Sequence, residues 1–286
     1  MGGAASWRQE LVQPLLAAYA AAPEVAAVAL SGSAARGTAD RWSDVEVMVF
    51  WSRPPAEEER RAPVESAAAA ARRYFPFDVA EQVWCDDLSV GAEGLLVEVT
   101  HALVATVEEQ LDRLLRQFDP DPLLLNLARG LVDAVPTHGS ALVDAWQSRL
   151  GTYPEGLQVV VVRRSAQIDH FWRWRMYLER DNPMLLASAL SEVAARLHAT
   201  VLALNKRYGP GLKSPDALSQ PLAVAPSDFA VRLRQSFALP AAERAAALAA
   251  LVDETYDLIE LHLPAVDVAR LREIFRHERL PTGPSG

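Results

Sequence analysis

Apolar positions along the first hundred residues change period several times, and each change marks an expected element. Trp7, Leu11, Leu15, Leu16 and Tyr19 recur at helical spacing over residues 6–22, which predicts an amphipathic helix stopping near Pro23. The run VAAVALSG then reads as a buried strand ending in a turn, and DVEVMVFW as a second strand rich in β-branched and aromatic residues. SRPPAEEERRAP is a charged, proline-containing loop or helix start, and residues 64–73 carry a helical pattern. FDVAEQVW and GLLVEVTHAL predict two further strands, separated by the turn-rich CDDLSVGAEG. From residue 104 to about 275 the pattern is helical almost throughout, with loops around 150–156 and 208–228. The tail PTGPSG is expected to be disordered.

Strands and a few helices first, helices afterwards: this succession predicts an α/β or α+β N-terminal domain and a helical C-terminal one. The segment VEEQLDRLLRQFDPDP supplies the connecting helix, and Asp119-Pro120-Asp121-Pro122 a hinge. At 286 residues the chain is long enough for one large domain or two ordinary ones.

Composition narrows the picture modestly. Half of the residues are hydrophobic and 23% are charged, the balance of a globular protein. A net charge of −9 weighs against a protein built to grip nucleic acid and is compatible with a cationic small substrate. Cys85 is the only cysteine, so no intrachain disulfide or cysteine-based zinc site is expected, and a cytoplasmic location fits. MGGAASWRQE lacks the pattern of a signal peptide; Gly2 and Ser6 meet the loose N-myristoylation pattern, but acylation is not expected. No apolar run is read as long enough to span a membrane. The oligomeric state is not legible.

The chemistry concentrates in LSGSAARGTADRWSDVEVMV. In a strand, residues two apart share a face, so Asp44 and Glu46 project together while Val45 and Val47 face the other way. Two carboxylates this close repel unless a cation lies between them, and hard oxygen donors suit Mg2+ bound together with substrate phosphates. Upstream, Gly32-Ser33 follows a strand and opens a helix, where glycine lets phosphate approach backbone N–H groups.

These residues resemble the signature of the DNA polymerase beta-like nucleotidyltransferase superfamily: an apolar residue, Gly-Ser, a spacer of about ten, then acid-apolar-acid-apolar. It falls here on Leu30, Gly32, Ser33, Asp44, Val45, Glu46 and Val47, with Gly37 and Ser43 also fitting. The resemblance implies an α+β fold, with a mixed-sheet catalytic domain over residues 1–118 and an all-α helical domain over 119–280 that closes on substrate or nucleotide. It also implies a third carboxylate on a later strand, for which Glu98 is the candidate, with Thr100 on its face and His101 on the other. Relatives often carry aspartate at the second and third acid positions, whereas this chain has glutamate at both.

Further on, NKRYGPGLK resembles an Asn-x-x-Tyr-x-Pro-Gly-x-Lys element in helical domains fused to bacterial antibiotic-modifying nucleotidyltransferases. Asn205, Tyr208, Pro210, Gly211 and Lys213 occupy its places, and Lys213 would reach the nucleotide phosphates. RRSAQIDHFWRWRMYLERDNP interleaves basic and aromatic residues; the spacing of Phe171, Trp174 and Leu178 favours core packing over a nucleobase pocket. Asp169 and Glu192 are inward-facing acid candidates, and His170 and His198 are expected to be structural.

The expected activity is therefore Mg2+-dependent transfer of a nucleoside monophosphate, AMP from ATP, to a hydroxyl of a small molecule of aminoglycoside or lincosamide type, with pyrophosphate released. Asp44, Glu46 and Glu98 would be the catalytic and metal-binding acids; Gly32, Ser33, Ser43 and Lys213 would hold the nucleotide. The alternatives are a protein AMP-transferase of the antitoxin type and a catalytically degenerate nucleotide-binding regulator.

Overall fold

The computed structural model describes residues 3–209 and 221–280, and the chain divides into two compact units, Met1–Thr152 and Tyr153–Gly286. The first unit is α+β. Its order is α1 (Gly3–Ala20), β1 (Val25–Ser31), α2 (Gly32–Arg36), β2 (Val45–Trp51), α3 (Glu57–Ser66), β3 (Ala70–Tyr74), β4 (Val83–Val90) and β5 (Leu95–Leu103), then α4 (Val104–Arg116), α5 (Pro122–Val132), β6 (Val135–His138) and α6 (Ser140–Leu150). The strands form one mixed sheet in the order β3-β4-β5-β2-β1-β6. Among the described residues only β2 and β5 run parallel; the other pairs are antiparallel.

Period-two patterning gives the sheet two unlike faces. Val28 and Leu30 of β1, Val45, Val47 and Val49 of β2, and Val97 and Val99 of β5 pack against Val12, Leu15, Leu16 and Tyr19 of α1. The opposite face carries Glu46 and Met48 on β2 and Glu98 and Thr100 on β5. Three buried polar residues, joined by the Trp51 indole, interrupt the apolar side. The Arg60 guanidinium pairs with Asp86 Oδ1, His101 Nε2 bonds Asp86 Oδ2 at 2.9 Å, and the Trp51 indole N–H donates to His101 Nδ1 at 3.1 Å. That donation fixes the tautomer: Nδ1 is bare and Nε2 carries the proton given to Asp86. Burial holds the His101 pKa below the ordinary histidine value, and the Asp86 hydrogen bond opposes it only in part.

The strands differ from expectation in three places. Residues 70–73 belong to β3, because α3 starts earlier, at Glu57, and ends at Ser66. Around β4 the reading is shifted: FDVAEQVW, expected as a strand, is mostly turn and joins the sheet only at Val83 and Trp84. Most of the segment read as a turn is β4, and the turn proper covers residues 91–94. The stretch after residue 104 is not wholly helical, since β6 pairs antiparallel with β1. A four-residue edge strand containing Pro136 has too little periodicity to announce itself. Through β6, residues 122–150 join the sheet unit, so the chain divides near residue 152 rather than 118. The α6 helix is tied in by Trp146, whose ring meets Phe50 edge-on at 4.8 Å, and by Arg149 paired with Glu108 and Asp112.

The second unit is helical: α7 (Glu155–Ser165), α8 (Phe171–Glu179), α9 (Pro183–Leu204), α10 (Phe229–Ser236), α11 (Ala241–His262) and α12 (Val268–Arg276). The α9 helix is central, packing against α7, α8 and α11. With 22 residues it is, contrary to the sequence reading, long and apolar enough to cross a membrane, yet half of its apolar window is buried inside this unit, as in a core helix. Of the stripe Phe171, Trp174 and Leu178 only Trp174 is fully core, where it meets Phe275 edge-on at 5.6 Å; Phe171 is exposed and Leu178 half-buried. Asp169 and Glu192 do not point inward; both are solvent-exposed and pair with Arg173 and Arg196 on their own surface.

His198 is fully buried on α9 with neither ring nitrogen bonded. Burial pushes its pKa down to about 4 from 6.5. The imidazole is neutral in both folded and unfolded chains above pH 6.5, so it contributes no pH dependence there. Below that value the unfolded chain takes the proton first, and stability falls until about pH 4. At 1.36 kcal/mol per pKa unit the loss is about 3 kcal/mol. A His198→Leu variant should lack this part of the acid destabilisation, read from urea melts at pH 7 and pH 4.5; equal slopes for both proteins would refute it.

Candidate active site

The site lies on the polar face of the sheet, around the ends of β1, β2 and β5. β1 ends in Ser31, whose hydroxyl donates to the Gly130 carbonyl at 3.2 Å and so anchors α5 over this edge. The chain then turns through Gly32 at φ +66 into the five-residue α2, which Gly37 terminates at φ +73. Glycine suits this position by its backbone, and a side chain here would displace the tip of Glu46. The Gly32 φ lies in the left-handed region, and a Cβ at this position would fall 2.5 Å from Oε1 of Glu46. The turn and the second acid of the motif are therefore packed against each other. Since α2 is so short, phosphate binding here would rest on backbone N–H groups rather than on a helix dipole.

Strand register assembles the acids. Glu46 is opposite Glu98 across the parallel β2–β5 pair, and opposite Ser31 across β1–β2. Neighbouring strands are about 4.8 Å apart, so the two glutamates rise side by side from adjacent backbones. Asp44 is the residue before β2 and is half-exposed, two positions upstream of Glu46. Asp87 on β4 extends the row, opposite Glu98. It was missed in the sequence because the Asp86-Asp87 pair breaks the apolar pattern of its strand. Its alternation with buried Asp86 and Leu88 was the available signal.

Among the described residues no three His, Cys, Asp or Glu side chains stand close enough to hold a metal ion, so register groups the acids rather than convergence of their carboxylates. The donor set nonetheless fits Mg2+, which takes one or two carboxylates and completes its shell with water and phosphate oxygens. Cys85 has no such role: burial pushes its thiol pKa up to about 11, which leaves it protonated and inert.

The loop that delivers Asp44 is organised by Asp40. Asp40 Oδ1 accepts the Trp42 N–H at 2.8 Å and the Ser43 hydroxyl at 3.0 Å, and Ser43 Oγ accepts the Asp40 N–H at 2.9 Å. These bonds, the Trp42 one foremost, lower the Asp40 pKa. Ser43 is thus engaged in holding the loop. Near α2, Arg36 and Arg129 both pair with Asp133, at 3.3 and 3.0 Å. Two guanidiniums on one carboxylate leave positive charge on the α5 side, beside the Gly130 that contacts Ser31. Spacing alone did not reveal these arginines, because they come from two distant helices.

Of the second motif, Asn205 and Tyr208 are structural. The Asn205 amide donates to the carbonyls of Val201 and Val224 at 2.7 and 2.8 Å and accepts the Val224 N–H at 3.0 Å. Tyr208 is buried against Tyr153. Pro210, Gly211 and Lys213 lie outside the described residues.

A Gly32→Ala substitution is expected to push Glu46 out of position and strain the turn by about 1–2 kcal/mol. If this turn seats a nucleotide, affinity should drop more than tenfold while the thermal midpoint moves by only a few degrees. Unaltered affinity would separate Gly32 from binding.

No family model matches the chain, and no curated protein matches it. Among solved structures it is similar to a nucleotidyltransferase-like protein from Exiguobacterium sibiricum 255-15, at 12% identity and a TM-score of 0.39, over 89% of this chain and 78% of that one. Identity and superposition at this level transfer no residue assignment.

Proposed function

We propose that the chain is a metal-dependent nucleotidyltransferase that moves a nucleoside monophosphate, AMP from ATP, to a hydroxyl of a small acceptor. The observation that carries the reading is the packing of the Gly32 turn against Glu46, with Glu98 in register on the parallel neighbour. A phosphate-binding turn and two carboxylates on one surface are what a metal–triphosphate complex needs.

In this reading Asp44 and Glu46 hold Mg2+, with Glu98 completing the set or accepting a proton. Bound there, the ion would neutralise the triphosphate and polarise the α-phosphoryl group. The Gly32-Ser33 backbone would cradle the β- and γ-phosphates, and Arg36 and Arg129 would balance charge on the same side. Glu98 or Asp87 would take the proton as the acceptor hydroxyl attacks the α-phosphorus and pyrophosphate leaves. A cationic acceptor of aminoglycoside type would be drawn by the surplus of carboxylates on this face.

The test is calorimetric titration of ATP with and without magnesium, then of GTP, CTP and UTP, followed by pyrophosphate release over a panel of hydroxylated antibiotics. Magnesium-dependent binding with acceptor-dependent pyrophosphate release is the expected result. Absence of binding for every nucleotide would overturn the reading. Binding without release over any acceptor would favour the degenerate regulator, to which the two glutamates and the unconverged carboxylates point. Release that needs a protein hydroxyl would favour an AMP-transferase acting on proteins.

A further inference from the structure

The mixed basic and aromatic segment around α8 does more than pack. Trp174 points into the helical core, while Trp172, Arg175, Met176 and Arg180 line an open cavity of about 260 Å³ bordered by Arg279 and Leu280. The chain reaches this place because His170, at the start of α8, bonds the Ile274 carbonyl in α12 and its ring lies 5.3 Å from His277. Residues 277–280 are thereby led back over Trp172, and the Arg279 guanidinium stands 5.3 Å from its ring.

The charges of this wall are unbalanced. Three guanidiniums meet one carboxylate, Glu179, which reaches Arg175 at 3.8 Å. Among the described residues neither Arg180 nor Arg279 has a carboxylate partner, in a chain whose net charge is −9. The Trp172 indole N–H is buried without an acceptor. Three guanidiniums on one wall favour an oxyanion, and guanidinium forks match phosphate oxygens in pairs. Met176 and Leu280 add apolar surface beside them, and Leu280 is exposed.

We propose that this cavity binds a small organic phosphate, its dianionic head among Arg175, Arg180 and Arg279 and its apolar body against Met176 and Leu280. The inference does not depend on nucleotidyl transfer, since every lining residue belongs to the second unit.

The experiment is a titration of the full-length, nitrogen-15-labelled protein with phenyl phosphate, with inorganic phosphate and benzyl alcohol in parallel. It follows the Trp172 indole N–H resonance, which is assigned by its loss in Trp172→Phe. The expected result is a saturable shift with phenyl phosphate, weaker binding of inorganic phosphate, and none of benzyl alcohol. Arg180→Gln and Arg279→Gln, both at exposed positions, should each weaken phenyl phosphate about tenfold, the effect of losing one charge-assisted bond. An unmoved resonance, or equal affinity in both variants and the wild type, would overturn the site. Equal affinity for inorganic phosphate would overturn the organic body, and an equal shift with benzyl alcohol the role of the charge.

Discussion

Exchanging Asp44 for asparagine is expected to lower magnesium-dependent turnover at least ~1,000-fold while leaving the unfolding midpoint within a degree or two of the wild type. The size follows from what the substitution removes. Asparagine keeps the volume and one acceptor oxygen but loses the charge that would hold the ion against the triphosphate, and a thousandfold loss corresponds to about 4 kcal/mol of transition-state stabilisation. Folding is spared because Asp44 is half-exposed and precedes β2 rather than packing in the core. Glu93→Gln, in the exposed turn before β5, is the control that should change nothing. Both proteins are assayed by pyrophosphate release at saturating magnesium. Asp44→Asn turning over at the wild-type rate would remove Asp44 from the metal site.

The second large effect concerns stability and lies on the other face of the same sheet. Asp86→Ala should cost 3–5 kcal/mol, about the loss found when one partner of a buried ion pair is removed. The reason is local: Arg60 is left charged at 5% side-chain exposure, and the N–H of His101 Nε2 loses its acceptor. Because marginal domains hold only about 5–15 kcal/mol in all, this variant can fail to accumulate. Asp86→Asn keeps an acceptor toward His101 and should sit between the two. Arg60→Met combined with Asp86→Ala should recover part of the loss, since it removes the stranded charge. Urea unfolding followed by tryptophan fluorescence reads all four proteins. A loss below about 1 kcal/mol in Asp86→Ala would mean that the pair is not what stabilises this region.

Those two carboxylates show what the pattern of the chain discloses and what it hides. Asp44 and Glu46 interrupt an apolar run in a strand, and Glu98 does the same in the next long one, so their common face follows from period two alone. Their lateral pairing does not, because register between β2 and β5 depends on a parallel crossover whose intermediate strands the pattern marks poorly. β3 has no buried face, its residues being exposed almost throughout, so alternation could not mark it. Asp86 is invisible for the opposite reason: an acid in a core position reads as a turn until Arg60 and His101, far away in sequence, supply its partners. β6 is too short to show a period. The helical half was legible as a class, but the outward direction of Asp169 and Glu192 depends on packing neighbours that one helix's periodicity does not name.

The position of β2 and β5 in the sheet has a consequence for motion. They are the two middle strands of six, with β3 and β6 at the edges. Openings that start at an edge must peel away β3 and β4 on one side, or β6 and β1 on the other, before they reach the paired glutamates. Amide protons of β2 and β5 should therefore exchange slowest in the first unit, at rates set by global unfolding, while those of β3 and β6 exchange through local fraying. The two facing glutamates are thus held apart at a spacing that persists for as long as the unit stays folded, whatever its rims do.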